Sequence, residues 1–335
     1  MTIKDVAQLA GVSPAAVSRY LNGGPLSKDK KERIAQAIEE TGYRPNMMAK
    51  TMRTGRVRQV GVIIPRIFSE SVNQIMDGIT EELLEKDYMT VLGYSDKVRD
   101  RELQYLEMMQ SNRVAGIILM ATTLSDIKLV SLENCDVPLV ITGQDFDGLP
   151  CVYHDDFGGM RELTTRIIQR GCRKIVYIGV TEADKAAGLA RRQGVQQALR
   201  EAGLSADDLP RKIADFDSES GYAAMLELLE EHPDLDSVIC ATDIIAHGAM
   251  KALKEKVRRI PEDVRIAGVG NNWADLVSTP TLTTVQLFQR RCGSEAAKLL
   301  LQLIGEEEAQ LDGQKIASSA SSVKLGYRII ERESI

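Results

Sequence analysis

Apolar residues recur at two different periods along this chain. Over the first forty residues the spacing is helical: Ile3, Val6, Ala7 and Ala10 share one face, Val17, Tyr20 and Leu21 a second, and Ile34, Ala37 and Ile38 a third. Gly11 can turn the chain between the first two helices. Ser13 stands as an N-cap before Pro14 at the first helical position, and Ser27 and Gly42 bracket a third helix from about Lys28 to Thr41. Each helix is too short to bury a core alone, whereas three can share one. The spacing of the first two predicts a helix-turn-helix.

From Val60 the period changes. Short apolar runs alternate with helical stretches such as 71–86 and 157–170. "VGVIIP" (60–65), "MTVLGY" (89–94), "VAGIILM" (114–120), "PLVITG" (138–143) and "CVYHD" (151–155) read as buried strands of a parallel sheet. A second series holds "KIVYIGV" (174–180), "RKIADF" (211–216), "SVICAT" (237–242) and "RIAGVG" (265–270). Two such series predict an α/β protein with two doubly wound lobes, and open sheets of this kind bind ligands beyond the carboxyl ends of their strands.

Composition narrows the function. At 335 residues, 44% hydrophobic and 27% charged, the chain suits a globular protein of two or three domains. The start lacks the pattern of a signal peptide and no apolar run is long enough to span a membrane, so the sequence predicts a soluble cytoplasmic protein. Cys135, Cys151, Cys172, Cys240 and Cys292 are odd in number and form no CxxC pair, which favours buried thiols over a disulfide or metal framework. Residues 1–60 carry eleven Lys or Arg against five Asp or Glu, a balance of +6. The net charge of −6 therefore leaves −12 on the remainder. A cationic head on an acidic body points to an anionic partner for the head, nucleic acid first.

The stretch "TIKDVAQLAGVSPAAVSRYLNGG", followed by "TGYRPN", closely resembles the headpiece of LacI/GalR transcriptional regulators. The resemblance runs through nearly the whole chain. It implies a periplasmic-binding-protein-like body, crossed three times between lobes, and the following domains: a headpiece at 1–45, a hinge helix and linker at 46–59, and an effector-binding and dimerisation body at 60–335. The N-lobe would take about 60–157 and 286–312, the C-lobe about 158–285 and 313–335. The second helix would enter the major groove with Pro14, Ala15, Ala16 and Arg19 toward the bases. Arg19 suits a guanine edge, while the alanines can offer only apolar contact. Thr2, Ser13, Ser18 and Asn22 suit phosphate oxygens; the competing reading of Ser13 and Ser18 is a cap and a surface residue. In the hinge, Asn46, Ala49 and Met52 match family positions, with Met52 where relatives wedge a leucine into the minor groove.

In the body, the effector candidates are Arg66, Arg191, Phe216, Asp243, Asn271 and Asn272, most of them at strand ends. The resemblance gives Arg191 hydroxyls or carboxylates to clamp and Phe216 a ligand ring to stack on. Asp243 could equally cap the next helix, Phe216 could be core and Arg191 surface. Most relatives carry an acid where Arg66 stands. Trehalose repressors, a branch sensing a sugar phosphate, look similar at "VGNN", "CATD" and "YHDD", which implies a phosphate held by Arg66 and Arg191. Arg66 pointing to solvent or pairing with Glu70 is the alternative.

No GxGxxG, GxSxG, HExxH or Walker loop is present, and His154, His232 and His247 are scattered, so the sequence predicts neither an enzyme nor a metal site nor a cofactor. The expectation is a dimeric repressor of a carbohydrate operon, binding a near-palindromic DNA operator and controlled by a sugar or sugar phosphate, with induction as its direction. A free-standing sugar-binding protein and a repressor sensing a non-sugar ligand such as a nucleobase are the alternatives.

Overall fold

The computed structural model describes residues 1–21, 24–43, 57–96, 98–121, 132, 134–311 and 322–335. The chain divides into two compact units, Met1–Arg58 and Gln59–Ile335. In the first, α1 (Ile3–Leu9), α2 (Pro14–Leu21) and α3 (Lys28–Thr41) enclose Val6, Ala7, Ala10, Val17, Ile34 and Ala37. Gly11 turns the chain at φ +62° and Gly42 ends α3 in the left-handed conformation at φ +59°, where a glycine has no steric penalty. Ser27 occupies the N-cap position of α3, as its place before the apolar repeat requires.

The second unit contains two sheets. The first lobe is built from β1 (Gln59–Ile64), α4 (Glu70–Glu85), β2 (Met89–Tyr94), α5 (Arg99–Ser111), β3 (Gly116–Met120), β4 (Leu139–Thr142) and β5 (Cys151–His154). The chain then passes through α6 (Asp156–Gln169) into β6 (Ile175–Gly179), a π-helical turn at Lys185–Ala190, α7 (Arg191–Glu201), β7 (Arg211–Ile213), α8 (Ser218–Glu231), β8 (Ser237–Cys240), α9 (Asp243–Glu255), β9 (Arg265–Val269), α10 (Trp273–Val277) and β10 (Thr283–Leu287). α11 (Gln289–Leu311) returns to the first lobe, and β11 (Val323–Leu325) and β12 (Tyr327–Ile330) end the chain. Strand order is β11-β5-β4-β3-β1-β2 in one sheet and β12-β10-β9-β8-β6-β7 in the other. All pairs are parallel except β10 with β12.

The final crossing differs from the boundary expected at 312/313. β11 pairs with β5, so residues 323–325 belong to the first sheet and the return to the second lies at Gly326. Three-residue strands carry too little pattern to reveal their sheet. α4 and α11 pack with their backbones nearly touching: a Cβ on Gly78 would stand 2.0 Å from the Arg290 carbonyl oxygen, and one on Gly293 2.0 Å from that of Ile75. Only glycine permits that approach. Four of the five free cysteines are buried and Cys135 is partly so. Among the described residues, no helix is long and apolar enough to cross a membrane.

Candidate functional site

In the first unit, α2 buries Val17 and leaves Pro14, Ala15 and Arg19 exposed, with Ala16 and Ser18 half-buried. The Ala16 N–H donates to Ser13 Oγ at 3.2 Å, so this hydroxyl caps α2. Thr2 is exposed ahead of α1, its N–H donating to Asp5 Oδ2 at 2.7 Å. The outer face of α2 thus presents methyl groups and one guanidinium. Asn22, Asn46, Ala49 and Met52 lie outside the described residues.

In the second unit, a cavity of about 360 Å³ lies at the carboxyl ends of the strands and is lined from both sheets. Arg66 follows β1 and Phe216 follows β7. They meet across the cleft, the guanidinium carbon 3.9 Å from the ring centroid. Burial holds the Arg66 guanidinium below its ordinary pKa, against the opposing fields of Asp184 and Asp215. Among the described residues, no carboxylate stands within ion-pair distance of Arg66. Glu70, the partner considered from sequence, instead accepts from Gln74 Nε2 at 3.3 Å. A second cross-lobe contact runs from Gln144 Nε2, after β4, to Asp184 Oδ1, after β6, at 3.3 Å.

Arg191, 8% exposed, opens α7 and points its Nε at Asp156 Oδ1 at 2.7 Å while Nη1 donates to the Ala241 carbonyl at 2.5 Å. It enters the cavity as half of an ion pair. Of the two-arginine phosphate clamp, Arg191 is held in an ion pair, and Arg66 has no ion-pair partner among the described residues. Asp184 accepts the Ala186 and Ala187 N–H groups at 3.1 and 2.9 Å at the start of the π-helical turn. Burial pushes its carboxyl up to about 6. His154, 5% exposed, lines the same cavity; burial lowers its pKa and keeps the ring neutral.

Asp243, Asn271 and Asn272 separate by role. Asp243 is fully buried and outside the cavity lining, its oxygens accepting the Asn271 N–H at 2.6 Å and Thr284 Oγ1 at 2.7 Å. Desolvation first, and then the neighbouring Asp275, raise its pKa. The assignment of Asp243 to effector contact is therefore corrected: its oxygens are already used in holding the loop after β9. Asn271 lies outside the lining as well, at φ +59°, its Oδ1 accepting from Arg332 Nη2 at 2.5 Å. Asn272 does line the cavity, its N–H held by Asp275 Oδ2 at 2.7 Å, and Asp275 also meets His247 Nε2 at 2.8 Å.

Sequence reasoning missed Asp184, Gln144, His154, Asp156 and Trp273, all in the lining. The strand-end rule could have found His154 and Asp156, since "YHDD" closes β5. Asp184 sits five residues past β6 in a polar turn with no local signal.

Asp184→Asn is expected to keep the cap and raise stability by about 1–3 kcal/mol at pH 7.5, because a pKa raised by roughly two units marks a carboxylate that folding disfavours. The sign follows from proton uptake: with a raised folded pKa, the wild type loses stability as pH rises from about 4 to about 6. The variant's advantage should therefore vanish at and below about pH 4. Urea denaturation across that range checks it, and an equal difference at every pH would remove burial as the cause.

A helix-turn-helix unit and a two-lobed ligand cleft in one chain define a class: a DNA-binding protein coupled to a small-molecule receptor. Residues 2–46 match the family described as "Bacterial regulatory proteins, lacI family", and residues 164–335 match "Periplasmic binding protein-like domain". The HTH-type transcriptional regulator RegA of Clostridium saccharobutylicum is 33% identical over 336 residues, covering 99% of this chain and 98% of that protein. The sucrose operon repressor of Staphylococcus xylosus is 32% identical over 304 residues, covering 90% and 93%. A solved structure of the transcriptional regulator CelR in complex with cellobiose superposes with a TM-score of 0.76 at 29% identity, covering 100% of this chain and 99% of that one. The chain belongs to the lacI family of bacterial regulatory proteins.

Proposed function

We propose that this protein is a transcriptional repressor of a carbohydrate-utilisation operon. Its operator binding is controlled by a saccharide held between the lobes of the second unit. The carrying observation is the cavity: cation, carboxylates and aromatic faces converge on it from both sheets, in a chain that also bears a helix-turn-helix. The names of the sucrose operon repressor and of the CelR–cellobiose complex support a sugar. The carboxylates of Asp184, Asp156 and Glu70 in the lining favour hydroxyl donors over a phosphate dianion. Arg66, without an ion-pair partner among the described residues, is the observation that favours the phosphate.

In this reading Arg66, Arg191, Asp184, Gln144 and Asn272 hold hydroxyls, and Phe216 and Arg66 close over them from opposite lobes. Thr2, Ser13 and Ser18 face phosphates; Pro14, Ala15, Ala16 and Arg19 face bases. Asn22 completes the phosphate set, and the hinge role belongs to Asn46, Ala49 and Met52. The headpiece is 1–45, the hinge 46–59 and the receptor 60–335. The active species is a homodimer, supported by Met89 and Leu92, about half exposed on the edge strand β2. The role is regulation by binding rather than catalysis.

Ligand that favours one lobe arrangement must alter DNA affinity by linkage, and the proposed sign is release. The test pairs calorimetric titration with neutral sugars and their phosphates against fluorescence anisotropy on operator DNA. A neutral sugar that binds and weakens operator binding at least tenfold is the expected result. Tighter binding by a phosphorylated sugar, abolished in Arg66→Ala, would shift the effector class to sugar phosphates. Absence of any saccharide heat would overturn the reading.

A further inference from the structure

Cavity-lining residues differ sharply in exposure. Arg191, His154, Asp156 and Asp184 are each less than a tenth exposed and form a polar floor, whereas Trp273 is 69% and Phe68 100% exposed. Both aromatics line the same cavity, Trp273 as the first residue of α10 in the second lobe and Phe68 in the loop after β1 in the first. The backbone around Trp273 is pinned: Asn272 N–H donates to Asp275, which is itself fully buried and hydrogen-bonded to His247. An indole so exposed, on a backbone fixed beside a polar cavity, offers a stacking face to an apolar surface. Deeper in, Phe216 already has one face covered by the Arg66 guanidinium.

We infer that the effector is a saccharide of at least two rings, one seated on the polar floor and the next stacked on Trp273 at the mouth. A pyranose presents hydroxyls at its rim and C–H bonds on its faces, so it satisfies both surfaces in turn. The cavity of about 360 Å³ stands near the lower end of ligand sites, roughly 300–1,000 Å³, so a second ring extends to the rim. A single ring on the floor leaves the indole bare. The inference rests on the sugar-responsive reading and specifies its substrate class.

Trp273 is the only tryptophan in the chain, so fluorescence excited at the red edge of the absorption band, where tyrosine does not absorb, reports on this position alone. The full-length protein is titrated with glucose, fructose, sucrose, maltose and cellobiose, with calorimetry in parallel. The expected result is that at least one disaccharide shifts the emission to the blue, shields it from acrylamide and binds more tightly than its constituent monosaccharides. Trp273→Ala should weaken that disaccharide about 3- to 10-fold, the value of an aromatic contact, and change monosaccharide binding less than about twofold, with Trp273→Phe retaining most of the affinity. Equal losses for one ring and two, or disaccharide heat with unchanged emission, would overturn the second-ring site while leaving sugar control intact. Emission already blue and shielded in the free protein would overturn it too, placing the indole under protein. No heat from any saccharide would overturn the sugar reading itself and this inference with it.

Discussion

Replacing Arg191 with methionine is expected to cost about 3–5 kcal/mol of folding stability, the loss seen when one partner of a buried ion pair is removed. Methionine restores most of the volume but none of the charge. Asp156, 6% exposed, would then be buried without its 2.7 Å partner, and the Ala241 carbonyl would lose its donor. A buried carboxylate without a counter-charge is disfavoured once ionised, so the deficit should grow as pH rises above the ordinary carboxylate range. Asp156→Asn added to Arg191→Met should recover a large part of it, because the second change removes the stranded charge. Urea denaturation of the four proteins of this cycle measures the coupling. A single-variant loss below about 1 kcal/mol, with no recovery in the double variant, would mean that water reaches the pair. Effector response should vanish in Arg191→Met even where the variant folds, since the same guanidinium lines the cavity.

Arg19→Ala is expected to cost about 1–3 kcal/mol at each half-site, hence about 2–6 kcal/mol for a dimer on a two-half-site operator. The outer face of α2 gives the reason. In the proposed docking Pro14, Ala15 and Ala16 meet thymine methyls and cannot distinguish donors from acceptors, whereas Arg19, exposed on α2, has the two donors that a guanine edge accepts. With so few base-reading groups, losing one should relax a base position rather than weaken all sequences alike. Selection from random DNA, with anisotropy titrations at several salt concentrations, separates the two. A uniform loss accompanied by a salt slope shallower by about one would place Arg19 on a phosphate. Unchanged preference and affinity would remove Arg19 from the interface.

The sequence by itself determined the local elements. Helical spacing over 3–41 and the punctuation at Gly11, Pro14, Ser27 and Gly42 specify three helices, because capping and backbone preference act within a few residues. Continuous apolar runs specified most of the strands from β1 to β9, since a parallel sheet buried on both faces tolerates little else; β2 and β7, read from sequence as buried, stand at the sheet edges and are partly exposed. The asymmetry of charge marked the first unit as the one for an anionic partner. Strand membership at the end of the chain was different: β11 and β12 are separated by Gly326 alone yet join different sheets, a choice made by the partners they meet. So was the receptor site. Asp243 and Asp184 are both acids beyond apolar strands, and only packing makes the first a loop anchor, with its oxygens used by Asn271 and Thr284, and the second part of the cavity lining. Arg66 and Phe216 stand 150 positions apart in sequence and 3.9 Å apart in the fold. No local pattern encodes that contact, because it exists only where two sheets bring their carboxyl ends together.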